Sequence, residues 1–259
     1  MKWKNFFLQI LSAIFIVTCI FSFGCGGNSS SLPKKATAEV GSSVITSNND
    51  DNLDLAKKKL KEGQELASQG KYEIAIEAYN KSIELFPDLA ETYLSRGIAY
   101  KRFGKYELAI NDFDKAIEFN PNDEYAYCNR GMTYSDIREF ALAIKDYDKA
   151  IEINPNFATA YYVRGCAYDI LGIYDKAIND YDKVILINPN KPSYYNSRGM
   201  AYAVIGNYHQ AIADATKAIE IDPNNAESYV LRGLCLEKLG ATEESIYDYL
   251  KAKELGYNG

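Results

Sequence analysis

Five arginines and five aspartates recur in this chain at fixed spacings. Arg96, Arg130, Arg164, Arg198 and Arg232 stand 34 residues apart, and Asp112, Asp146, Asp180, Asp214 and Asp248 each follow an arginine by 16. Two kinds of chemistry suit such a set. A row of guanidinium groups could grip an anionic ligand, since arginine presents parallel N–H donors to a carboxylate or phosphate. Alternatively, each arginine meets the aspartate of its own 34-residue segment as an internal ion pair. The segment before Arg96 separates the two, because it has Glu62 at the arginine position and Ala78 at the aspartate position. The charges appear together five times and vanish together once. Pairing each arginine with the preceding segment would strand Arg96 and Asp248; pairing it with the following one would strand Asp112 and Arg232. The sequence therefore predicts an ion pair within each of five segments, with a role in fixing register rather than in large net stability.

Other reactive residues are sparse. The 259 residues include one histidine, His209, whose place near the start of a helical stretch suits a solvated surface side chain. Cys128, Cys166 and Cys235 match no zinc spacing or disulfide framework and are expected as small buried groups. No activated nucleophile, glycine-rich phosphate loop or metal-ligand spacing is visible, so the expectation is a non-enzyme with no cofactor, metal or small-molecule substrate. A net charge of −6 argues against nucleic acid, which requires a basic face.

The period itself positions these residues. NDFDKAIEFNPN, KDYDKAIEINPN, NDYDKVILINPN and ADATKAIEIDPN end at Asn122, Asn156, Asn190 and Asn224. Six segments fill the chain without insertion: 56–89, 90–123, 124–157, 158–191, 192–225 and 226–259. Within each, apolar residues fall at helical spacing in two blocks, such as Tyr93, Gly97 and Tyr100, then Tyr106, Ala109, Ile110, Phe113 and Ile117. FGKY, LGIY and IGNY supply a glycine to end the first helix, and the NP or DP step stops the second. Each segment is thus expected to be a helix–turn–helix, with Gly97 and Ala109 small because the helices approach closely there.

Counted along the segment, the recurring residues are an aromatic at position 4, glycine at 8, tyrosine at 11, alanine at 20, an aromatic at 24, alanine at 27 and proline at 32. This resembles the tetratricopeptide repeat (TPR), with Tyr93, Tyr127, Tyr161, Tyr195 and Tyr229 where that family often has tryptophan. The resemblance implies an all-α, right-handed α-solenoid of six helix pairs whose first helices line a concave surface. The end segments depart from the pattern: Lys57, Lys58, Lys59 and Lys61 mark the first, Lys253 and Tyr257 the last. Polar outer faces are what terminal repeats need, so the array is expected to be complete and capped at both ends.

By their spacing, positions 2, 5, 9 and 12 share one face of each first helix. Leu94, Ile98, Tyr125, Met132, Tyr162, Cys166, Met200 and Leu234 vary from repeat to repeat and form a candidate partner-binding groove, with Lys101, Ser135, Asp169 and Glu237 beside it. Cochaperones of this family clamp a C-terminal carboxylate with lysines and asparagines that no adjacent pair of repeats supplies here. An apolar groove with methionines suits an amphipathic helix or extended protein segment instead. The resemblance also admits assembly factors of envelope machines, such as pili or polysaccharide exporters, acting through the convex face or the ends.

The first residues carry an address. Lys2 and Lys4 precede a largely apolar run from Phe6 to Phe23, which fits a signal peptide over residues 1–24. FSFGC followed by GGNSSS resembles a bacterial lipobox, implying lipidation at Cys25 and a membrane-anchored, extracytoplasmic protein; a plain cleaved signal or an uncleaved signal anchor is the alternative. Residues 25–55 are expected to be a flexible linker, being rich in Ser, Asn, Gly and Asp.

Overall fold

The structure is a computed structural model that describes residues 45–257. The signal sequence, Cys25 and the linker up to residue 44 lie outside the described residues. Those described are all-helical, in six consecutive helix–turn–helix pairs. The pairs are α1 (Ile45–Ser68) with α2 (Tyr72–Leu85), α3 (Ala90–Arg102) with α4 (Tyr106–Phe119), and α5 (Glu124–Asp136) with α6 (Phe140–Ile153). They continue with α7 (Ala158–Ile170) and α8 (Tyr174–Ile187), α9 (Pro192–Val204) and α10 (Tyr208–Ile221), and α11 (Ala226–Lys238) and α12 (Thr242–Glu254). This is the α-solenoid expected from the sequence.

The helices divide into two compact units, an N-terminal half ending at Ile153 and a C-terminal half beginning at Asn154. In each, the second helix of one pair lies against the first helix of the next: α2 on α3 and α4 on α5, then α8 on α9 and α10 on α11.

The turn chemistry is as expected. Gly104, Gly172 and Gly206 take positive φ of 73°, 74° and 88° after their first helices. In the third repeat Arg138 holds the same place at φ 65°, a conformation that strains any residue with a Cβ. At the other end, α4, α8 and α10 stop at Asn120, Asn188 and Asp222, each outside the helical region, with ψ of 86°, 86° and 95°, just before a proline.

The glycine at position 8 has a definite reason. A Cβ on Gly97 would sit 2.7 Å from the Phe113 ring, one on Gly131 2.6 Å from Tyr147, and one on Gly165 2.8 Å from Tyr181. Each first helix therefore rests on the position-24 ring of its own second helix. Repeat five has Ala215 there, and Leu231 of the next repeat fills the gap, its Cδ2 3.0 Å from where a Gly199 Cβ would be.

Two expectations need correction. Helix α1 begins at Ile45, so residues 45–55 are helix rather than flexible linker. Asp54 lies three and four residues before Lys57 and Lys58, a spacing that favours helix despite the polar composition. At the other end the last helix is not a polar cap, because Ile246, Tyr247 and Leu250 are exposed on it.

Candidate binding face and the repeat joints

Each position-7 arginine lies on a first helix and reaches the second helix of its own repeat. Arg96 donates from Nε to Asp112 Oδ2 at 2.8 Å and from Nη2 to Asp112 Oδ1 at 2.7 Å. Arg130 and Asp146, Arg164 and Asp180, Arg198 and Asp214, and Arg232 and Asp248 make the same two-bond contact, every distance between 2.6 and 2.9 Å. All five aspartates are buried. The position-4 tyrosine one turn earlier lies under the guanidinium, with Tyr93, Tyr127, Tyr161, Tyr195 and Tyr229 ring centroids 5.5–5.9 Å from Cζ.

A third donor points backwards along the chain, which the sequence analysis missed. Nη1 of Arg96 donates to Asn80 at 2.6 Å, that of Arg130 to Asp114 at 2.6 Å, that of Arg198 to Asp182 at 2.6 Å, and that of Arg232 to Thr216 at 3.3 Å. These oxygen-bearing residues stand 16 positions before each arginine, mirroring the aspartates 16 after. Arg96, Arg130, Arg198 and Arg232 are thus three-way joints between their own helix pairs and the preceding repeat. That its partners at −16 all carry a side-chain oxygen is the signal that could have found it.

Burial works against these charges. It pushes the Asp112 and Asp214 carboxyls above their ordinary pKa, and the hydrogen bonds from Arg96 and Arg198 pull them only part of the way back. Burial likewise opposes the Arg96 charge, but there the bonds to Asp112 prevail and hold the proton more tightly than usual. Both partners are ionised, because the two-bond contact needs a carboxylate facing a guanidinium. With its donors satisfied in this way, the arginine row is a set of joints rather than a ligand surface.

The residues expected to line a groove fall into two groups. In the N-terminal half, where α3 and α5 adjoin, Leu94, Ile98, Tyr125 and Met132 are half-exposed. Polar contacts border them: Gln64 donates to Glu91 at 3.2 Å, and Lys101 Nζ lies 3.6 Å from Asp136. In the C-terminal half Tyr162, Cys166 and Met200 are instead buried core residues. Tyr162 sits between Tyr181 and Tyr194, at centroid distances of 5.9 and 5.1 Å, with its hydroxyl 3.2 Å from Ser197 Oγ. Large rings there close the space between first helices, so residue variation at these positions reflects packing rather than freedom for a ligand. Leu234 is half-buried beside the same core.

Position 12 is also tied into the framework. Ser135 pairs with Tyr147 at 3.0 Å, Asp169 accepts from Tyr181 at 2.5 Å, and Glu237 accepts from Tyr249 at 2.9 Å. Asp169 is 8% exposed, and its Oδ1 has no hydrogen-bond partner among the described residues. Burial pushes its carboxyl up to about 7, although the Tyr181 hydroxyl favours the charged form. The three body cysteines are free thiols and buried, and burial pushes that of Cys235 up to about 12, far from a reactive thiolate. His209 is exposed.

Comparisons with known proteins agree with this architecture. A tetratricopeptide repeat model matches residues 90–123, 124–157, 158–191 and 192–225, and two further models of the repeat match 63–104 and 215–247. A crystal structure of MamA protein is 31% identical, covering 70% of this chain and 96% of that one with a TM-score of 0.58. YrrB, described as a TPR protein with an unusual peptide-binding site, is 24% identical over 72% of this chain and 96% of its own, with a TM-score of 0.57. The pilF protein of Pseudomonas aeruginosa shares the fold at 16% identity, covering 82% and 95% with a TM-score of 0.70. No curated protein matches the chain. Four matched repeats in unbroken register, each containing an arginine–aspartate joint, leave one assignment: the chain belongs to the tetratricopeptide repeat family.

Proposed function

We propose that this protein is a non-enzymatic scaffold, tethered to the bacterial cell envelope through a lipidated Cys25, that holds a segment of a partner protein on the first-helix face of its N-terminal half. The observation that carries the reading is the half-exposed strip of Leu94, Ile98, Tyr125 and Met132 on adjoining helices α3 and α5. These side chains take no part in the arginine joints or in the ring-on-glycine contacts that assemble the repeats. An apolar strip with polar borders favours the apolar face of an amphipathic helix or an extended segment, and methionine adapts to either. The tether rests on the basic and apolar leader followed by the GC step at Gly24 and Cys25.

Affinity-tagged protein recovered from its own membranes tests both parts. The wild type should fractionate with membranes and bring down a discrete partner. Cys25→Ser should shift the protein out of the membrane fraction, whereas Ile98→Asp with Met132→Asp should stay there, folded, and lose the partner. Full membrane retention of the Cys25→Ser protein with its leader uncleaved would replace the lipid anchor by a signal anchor. Undiminished partner recovery with the double variant would remove the strip from the binding site.

A further inference from the structure

The second helix of a repeat offers one face to the repeat that follows. On that face, position 21 is always isoleucine, and position 25 supplies the oxygen for the next arginine's third donor. In the C-terminal half Ile178 is buried and Ile212 is half-buried, while Asp182 and Thr216 accept from Arg198 and Arg232. On α12 these two positions hold Ile246 and Leu250, which are 51% and 63% exposed, and beside them Tyr247, at a position exposed in every repeat, is 65% exposed. Among the described residues no helix covers them. The position-25 oxygen has become Leu250, so this face is built for an apolar neighbour and not for another arginine joint.

We propose that the α12 face is an interface between two copies of this chain, packed antiparallel about a two-fold axis. Its position continues the joint by which the earlier repeats of the C-terminal half meet their neighbours, so a helix laid across it meets a surface already shaped for helix packing. Its charges favour a second α12 in the opposite direction. Glu243 and Glu244 occupy the first turn and Lys251 and Lys253 the last. An antiparallel pair places the acidic end of each copy beside the basic end of the other, whereas a parallel pair would set like charges together. Lys251 also reaches Glu254 at 3.1 Å, an exposed contact weak enough to rearrange. A two-fold interface needs one self-complementary patch, and Tyr247 with Leu250 near the middle of the helix provides it. Three large apolar groups within one turn of a surface helix are otherwise an aggregation hazard.

Sedimentation of the full chain in mild detergent tests the proposal. The wild type should run as a dimer, and Tyr247→Asp with Leu250→Asp as a monomer of unchanged helicity, since both side chains are exposed and their loss removes no core contact. The charge arrangement is read separately. Glu243→Lys with Glu244→Lys should weaken the dimer by about tenfold or more, and adding Lys251→Glu with Lys253→Glu should restore it. A wild type that stays monomeric at the highest attainable concentration would overturn the proposal, including the case in which α12 amides are nevertheless protected from hydrogen exchange by another part of the same chain. A dimer insensitive to the Tyr247 and Leu250 changes would overturn it equally.

Discussion

Asp169 is the residue whose chemistry departs furthest from its surroundings. Tyr181 supplies one oxygen with a hydrogen bond, the other oxygen has no partner among the described residues, and burial raises the carboxyl to about 7. The folded state therefore holds this proton more tightly than the unfolded chain, where the group titrates near 4 (roughly). Its contribution to stability is complete below that value and is lost as pH rises to about 7. The loss amounts to as much as about 4 kcal/mol, at roughly 1.4 kcal/mol per pH unit. Asp169→Asn keeps an acceptor for the tyrosine and removes the titration. Urea unfolding at pH 5 and pH 8 should therefore show the asparagine variant gaining on the wild type as pH rises. A constant difference between the two proteins would contradict the raised carboxyl. None of this was legible in the sequence, where Asp169 is one of six residues of five kinds at position 12; only the chain's folding places Tyr181 over it.

Among the elements, the helices and their pairing were readable because their causes are local. Apolar spacing, a turn glycine and a stopping proline recur in every interior repeat, and the sole departure, Arg138 in the glycine place, keeps the same backbone at some strain. The arginine–aspartate contacts were readable because the two residues appear and disappear together. Their third donor was not, since its acceptors are Asn80, Asp114, Asp182 and Thr216, residues with no shared identity beyond an oxygen. The burial of Tyr162, Cys166 and Met200 was hidden for a related reason: periodicity places side chains on a face but does not say whether a neighbouring helix fills the space in front of it. The joint itself makes a sharp prediction. Asp214→Ala leaves the Arg198 guanidinium buried without its main counter-charge and should cost on the order of 3 kcal/mol. Adding Arg198→Leu should recover much of that in a double-mutant cycle on urea unfolding, because the remaining Asp182 is half-exposed and solvates readily. Strictly additive losses would mean the pair contributes no coupling.

For the molecule as a whole, the proposed reading gives assembly and recognition to different residues. Arginine joints, position-24 rings and small residues at positions 8 and 20 fix how repeats stack. The strip on α3 and α5 is left over from that work, and so is the apolar face of α12. Stacking was legible because it repeats. Recognition was only partly so, because a surface that varies from repeat to repeat looks the same whether it is free or filled. The central claim is that the half-exposed strip of Leu94, Ile98, Tyr125 and Met132 is where a partner segment lies. A photo-crosslinking amino acid placed at Met132 in living cells tests it most directly, with the same probe at the exposed Asn111 on α4 as the comparison. A discrete adduct from position 132 that is absent from position 111, and is lost on Ile98→Asp, is the predicted result. An adduct from position 111 with none from position 132 would contradict it and move recognition to the second-helix face.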